Sequence, residues 1–198
     1  MKRIHLTTLV LAAAIALAGI ARAELFGLFK SKKPNELIQR QPPLKVNQKI
    51  LSQATPDNTH IVVSTTKQRA YLMLGDQVVA DEPISSGKRG HETPHGHFNV
   101  MEKDPNHHST LYGDFVDSAG RVVRAGVSAQ IDSAPSGTHF AGAPMRWFLR
   151  LTSEGVGMHI GILPGYAASH GCVREPADGA LLFYNYAKVG TPVEVGDF

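Results

Sequence analysis

The chain contains a single cysteine, Cys172, inside the segment Ser169-His170-Gly171-Cys172-Val173-Arg174. A thiol attacks carbonyl carbon as its thiolate, and an ordinary cysteine ionises near pH ~8.5, so a nearby base is what gives it reactivity at neutral pH. Two imidazoles bracket it. His170 lies in the same loop, while His159 sits in the apolar stretch Gly155-Val156-Gly157-Met158-His159-Ile160-Gly161-Ile162-Leu163, beyond a turn marked by Pro164 and Gly165. Adjacent loop residues diverge in direction, whereas a residue across a turn faces back squarely, which favours His159 as proton acceptor and His170 as a pocket former. Gly171 lacks a Cβ and permits a bend that aims its own N–H and that of Cys172 at one point, an oxyanion hole for the attacked carbonyl. Arg174 offers a guanidinium fork for a substrate carboxylate, with a structural ion pair as its alternative role.

Strands and turns must hold these groups. Residues 60–74 are β-branched and aromatic, and residues 75–84 follow after Gly75-Asp76, which predicts a hairpin. Gly87, Gly90, Pro94 and Gly96 mark turns before a short strand ending near Met101. The run 145–152 alternates, placing Trp147, Leu149 and Leu151 on one face and Arg146, Phe148 and Arg150 on the other. Residues 175–190 are the one helical stretch, with Pro176 in the first turn, Leu181, Leu182, Tyr184 and Ala187 spaced for burial and Gly190 as the stop. Residues 191–195 close the chain as a strand. The expected class is mainly β, a sandwich or partly closed barrel with one packed C-terminal helix.

The first 23 residues carry Lys2 and Arg3, an apolar stretch from about Leu6 to Ile20, and Ala21 and Ala23 around Arg22, the pattern of a cleavable secretory signal. Cleavage leaves a mature chain starting at Glu24, with no apolar segment long enough to span a bilayer. In an oxidising compartment a lone cysteine has no internal partner, so Cys172 is a reactive thiol, half of an intermolecular bridge, or an inert buried side chain. Three of the 20 Lys and Arg lie in the signal, which leaves 17 basic against 17 acidic residues. A neutral mature chain gives no electrostatic reason to bind nucleic acid. Residues 24–57, rich in Lys, Gln, Asn and Pro, read as a basic tether with at most short local structure, and residues 58–198 as the catalytic domain.

The stretch Met158 to Arg174 resembles the signature of the L,D-transpeptidase, or YkuD domain, family, in which an upstream histidine precedes a [Ser/Thr]-His-Gly-Cys-x-[Arg/Asn] segment. A second family element, Thr-Pro-x-Gly-x-Phe, is matched at Thr93 to Phe98. The resemblance runs from about His60 to Val195. It implies a mainly β domain acting on peptidoglycan stem peptides in the periplasm or cell envelope, without a cofactor. It implies Cys172 as nucleophile, His159 as base, His170 and Gly171 as shapers of the site and oxyanion, and Ser169 and Arg174 on the substrate side. The implied reaction is attack on the third stem residue, loss of the terminal D-alanine, and transfer of the thioester to an amine, giving a 3-3 cross-link. Water as acceptor would give an L,D-carboxypeptidase, and other relatives join or release a wall-bound lipoprotein. The residue after the base is often glycine in the family and is Ile160 here.

Two rivals come from other classes. His91, His95, His97, His107 and His108 are ligand types for zinc, but Pro94 and Gly96 break any helix that would present them together and no HExxH pattern exists. A non-catalytic wall-binding module would leave Cys172 dispensable, which the intact His159–Cys172 pair speaks against.

Overall fold

A computed structural model describes residues 41–198. The expected signal, residues 1–23, and residues 24–40 of the expected tether lie outside the described residues.

The first described elements are a two-residue strand, β1 (Lys45–Val46), and one helical turn, α1 (Gln48–Leu51), where the Asn47 side chain accepts from the Ile50 N–H. They are more than tether. β1 pairs with β4 (Gln77–Pro83), and Leu44, Val46, Ile50 and Leu51 pack on the core. The predicted single hairpin is a three-stranded meander, because residues 65–68 make an additional turn between β2 (Thr59–Ser64) and β3 (Arg69–Leu74). Gln68 takes φ 53 there, a left-handed conformation that four residues of β-type sequence do not announce.

The largest sheet has the order β1-β4-β3-β2-β13-β5, with β5 at Gly96–Asn99 and the closing strand β13 at Pro192–Gly196 running parallel to β2. The sheet that carries the chemistry has the order β12-β11-β10-β6, from β6 (Glu102–Asp104), β10 (Phe148–Arg150), β11 (Gly157–Ile160) and β12 (Val173–Glu175). Ile61, Val63, Leu72 and Val79 of the first sheet, Leu149, Met158 and Val173 of the second, and Phe183 of α2 (Ala177–Tyr186) form one buried core. Burial of such side chains from water is the main favourable contribution to holding the sheets together.

Two expectations about faces change. Trp147 adopts φ 57, so the strand begins only at Phe148, and Phe148 is buried completely instead of lying on a polar face. Pro176 precedes α2 as its N-cap, and the helix buries Gly179, Ala180 and Phe183 while Leu181 is exposed. A third sheet, β8-β7-β9, is built from β7 (His108–Val116), β8 (Val122–Ser128) and β9 (His139–Pro144), which the sequence did not announce. Among the described residues no helix is long and apolar enough to cross a membrane.

Candidate active site

β11 and β12 run parallel and in register, Met158 opposite Val173 and His159 opposite Arg174, with Cys172 immediately before β12. The strand pairing therefore brings His159 and Arg174 side by side and delivers the thiol to the end of the same sheet. All three line a cleft of about 510 Å³, together with Ser169 and His170.

His159 is fixed by one contact: its Nδ1 lies 2.7 Å from the carbonyl oxygen of Ile160. A carbonyl only accepts, so Nδ1 carries the proton and Nε2 keeps its lone pair. The residue that follows the base thus contributes its backbone carbonyl, which Ile160 supplies as glycine would, while Ile160 also lines the cleft. Burial pushes the imidazole down to about 4, with the charges of Arg174 and His107 adding to the effect and the Ile160 bond opposing it. Burial likewise pushes the Cys172 thiol above its ordinary value, against the pull of the Gly157 amide, Arg174 and Arg150. Burial thus favours the neutral form of each partner, thiol and imidazole. The Cys172 sulfur lies 3.7 Å from the Gly155 carbonyl, its resting acceptor.

Gly171 takes φ 119, as the bend requires. Its N–H, however, is donated to Ser169 Oγ at 3.1 Å, which removes it from the expected oxyanion pair. Ser169 is buried, and its hydroxyl also donates to the Cys172 carbonyl, so it shapes the loop from within. The carbonyl of Gly171 accepts from Thr93 Oγ1 at 2.8 Å, and Thr93 Oγ1 accepts from the Gly87 amide at 2.9 Å. Backbone bonds from Ser169 to Ser86, from Lys88 to Ser169, and in both directions between Ser85 and Arg174 lace the cysteine loop to residues 85–88. Gly87 is needed there, since a Cβ would lie 2.1 Å from the His91 carbonyl oxygen.

The surroundings of Arg174 bear on its two expected roles. Among the described residues no carboxylate lies within 4.0 Å of its guanidinium, whereas Arg150 in the same cleft is paired with Glu102. The stem of Arg174 runs over Gly161, where a Cβ would lie 2.6 Å from its Cγ. His170 points another way: Lys88 Nζ is 3.0 Å from its Nε2, and its ring packs on His91 and Tyr112 at 4.8 and 4.6 Å between centroids. Burial, then Lys88, His91 and Arg174, lower its pKa.

The histidines of the metal-binding alternative are not gathered. The one group of ligand type among the described residues is Glu102, Asp104 and His107, and there Arg150 already holds Glu102 at 2.5 Å. Sequence reasoning missed the cleft wall made by Ser109, Thr110, Leu111 and Tyr112 of β7 and Ala143 and Pro144 of β9. It also missed the hydroxyl of Thr93 as a brace, although its motif was visible.

The sequence profile described as L,D-transpeptidase catalytic domain matches residues 58–195. A search of curated proteins gave no significant match. Among solved structures, the chain is similar to an L,D-transpeptidase from Mycobacterium smegmatis, with 21% identity and TM-score 0.52, covering 70% of this chain and 58% of the other. An L,D-transpeptidase solved in complex with imipenem has 23% identity and TM-score 0.52 over 70% and 59%. An Enterococcus faecium L,D-transpeptidase, solved as a cysteine-to-serine mutant, has 23% identity and TM-score 0.51 over 70% and 50%. The chain thus spans between half and three-fifths of the length of these proteins, and at such identity the likeness is one of fold.

Proposed function

The chain belongs to the family of L,D-transpeptidase catalytic domains, and from that premise we propose that it is an exported enzyme that acylates Cys172 with a peptidoglycan stem peptide and passes the acyl group to an amine. The observation that carries this reading is the lone thiol just before β12, sharing one cleft with His159, whose Nδ1 is taken by the Ile160 carbonyl, and with the guanidinium of Arg174, which has no carboxylate partner among the described residues.

The steps follow from the geometry. The substrate enters with a carboxylate on Arg174, which is bidentate and only half-exposed, so the pair is stronger than one in bulk water. As the sulfur attacks the carbonyl of the third stem residue, His159 Nε2 takes the thiol proton. The Ile160 carbonyl on Nδ1 leaves Nε2 as the nitrogen that can accept it. The Cys172 amide is the oxyanion donor left by the engagement of Gly171. The C–N bond breaks, the imidazolium returns its proton to the departing D-alanine amine, and a thioester remains. An amine of a second stem then attacks the thioester and regenerates the thiol. The cleavable signal at residues 1–23 would place this chemistry in the periplasm or cell envelope.

The test is incubation of the purified protein with a disaccharide tetrapeptide and identification of products by mass. A cross-linked dimer with free D-alanine is expected. Tripeptide alone would make water the acceptor, and the absence of both products would overturn the reading.

A further inference from the structure

His107 is a second imidazole in the cleft, and the thiol chemistry does not use it. It sits between β6 and β7 and is largely buried, its side chain 17% exposed. One ring face stacks on Phe148, 4.2 Å between centroids with the planes 10° apart, and Phe148 in turn lies against His159, 6.4 Å between ring centroids. Its Nδ1 is 3.2 Å from the Asp104 carboxylate. That contact assigns the proton to Nδ1 and leaves Nε2 as the acceptor, on a residue that lines the cleft. A carboxylate on Nδ1 fixes the tautomer and stabilises the imidazolium that forms when Nε2 accepts a proton, an arrangement that generalises the orienting third group of nucleophile–base sites.

Proton accounting gives a second base a role at neutral pH. An acceptor amine arrives as an ammonium with three protons and ends as an amide nitrogen with one. One of the two lost protons returns to the sulfur through His159. The other must leave the site. His159 is occupied by the first, since its single free nitrogen carries one proton at a time.

Resting on the transpeptidase reading, we propose that the Asp104–His107 dyad is the general base of the acceptor half-reaction. His107 Nε2 takes the first proton from the ammonium. The neutral amine then attacks the thioester carbon, the C–S bond breaks as the C–N bond forms, the second proton passes by way of His159 to the thiolate, and His107 releases its proton to water. The groups that face the dyad are the Asn106 amide, which bonds Asp104 at 2.9 Å, His108, the Glu102–Arg150 pair, His159 and, from α2, Tyr184.

The experiment separates the two half-reactions. Acylation is followed by D-alanine release from a tetrapeptide donor, and deacylation by transfer to an α-amine acceptor, over a range of pH. His107→Gln is expected to acylate within about twofold of the parent and to lose roughly 10²- to 10⁴-fold in transfer at neutral pH. The deficit should shrink as pH passes the acceptor's own pKa, about 8 for an α-amine, where the neutral amine is supplied by solvent. Asp104→Asn leaves the Phe148 stack in place and should show a smaller deficit with the same pH rescue. Equal loss in both half-reactions, a deficit independent of pH, or parental transfer by His107→Gln would each overturn the dyad. A parent that releases no D-alanine would overturn the functional reading beneath it, which is a different result.

Discussion

At the scale of the residue, the chemistry depends on two groups whose uncharged forms burial favours. The meeting of Cys172 and His159 in one cleft was legible in the sequence, because one thiol across a turn from one strand histidine leaves few choices. Their resting charge was not, since it depends on how much water the cleft admits. The structure therefore alters what a thiol probe should see. Alkylation of Cys172 by iodoacetamide is expected to rise with pH and inflect above the ordinary thiol value of about 8.5, burial having pushed the thiol up. His170→Ala should keep that profile, because its ring faces Lys88, His91 and Tyr112. An inflection below pH 7 in the parent would mean a standing thiolate–imidazolium pair and contradict the neutral one.

At the scale of the element, the cysteine loop is held by a segment far away in sequence. Thr93 joins the loop to the Gly87 turn through one hydroxyl, 3% exposed, which donates in one direction and accepts in the other. Thr93→Val keeps the shape and removes both bonds, leaving a buried carbonyl and a half-buried amide unmet. The expected cost is about 1–3 kcal/mol in urea unfolding, with turnover falling more than stability as the loop loses its brace. Unchanged stability and turnover would show that the backbone bonds to residues 85–88 suffice. The motif around Thr93 could be read, but its mechanical reason appears only when residues 87, 93 and 171 meet. The sheet β8-β7-β9 stayed hidden for another reason. Its close strand approaches need Gly113 and Gly142, where a Cβ would lie 2.1 Å from the Ala141 oxygen and 2.0 Å from the Ser109 oxygen, and glycines in a run read as loop. Exposed Val122 and Val123 weaken its alternation further.

At the scale of the whole molecule, β4, β12 and α2 meet at two carboxyls, Glu82 and Glu175, both completely buried. Apart from each other, none of their four oxygens has a hydrogen-bond partner, and Glu82 lies where a Cβ on Gly179 would fall. Nothing in the strand pattern distinguishes these acids from solvated ones, so the sequence did not reveal them. Burial raises both, Glu175 to about 7, with the neighbouring Glu175 raising Glu82 further. The native state therefore holds a proton that the unfolded chain has released, and its stability is complete below an unfolded-state value near 4.5 and falls as pH rises to about 7. The slope is about 1.4 kcal/mol per pH unit for each retained proton. Glu175→Gln should flatten that decline in denaturant unfolding measured from pH 4.5 to 7, and an unaltered slope would remove the pair from the pH response.

The central claim is that Cys172 carries the stem peptide as a thioester. Intact-mass spectrometry of the protein quenched during turnover of a tetrapeptide, followed by peptide mapping, tests it directly. The predicted result is an adduct equal to the tetrapeptide less its terminal alanine, located on the peptide that contains Cys172 and lost in Cys172→Ser. Turnover with no such adduct, or an adduct that survives in Cys172→Ser, would contradict the account.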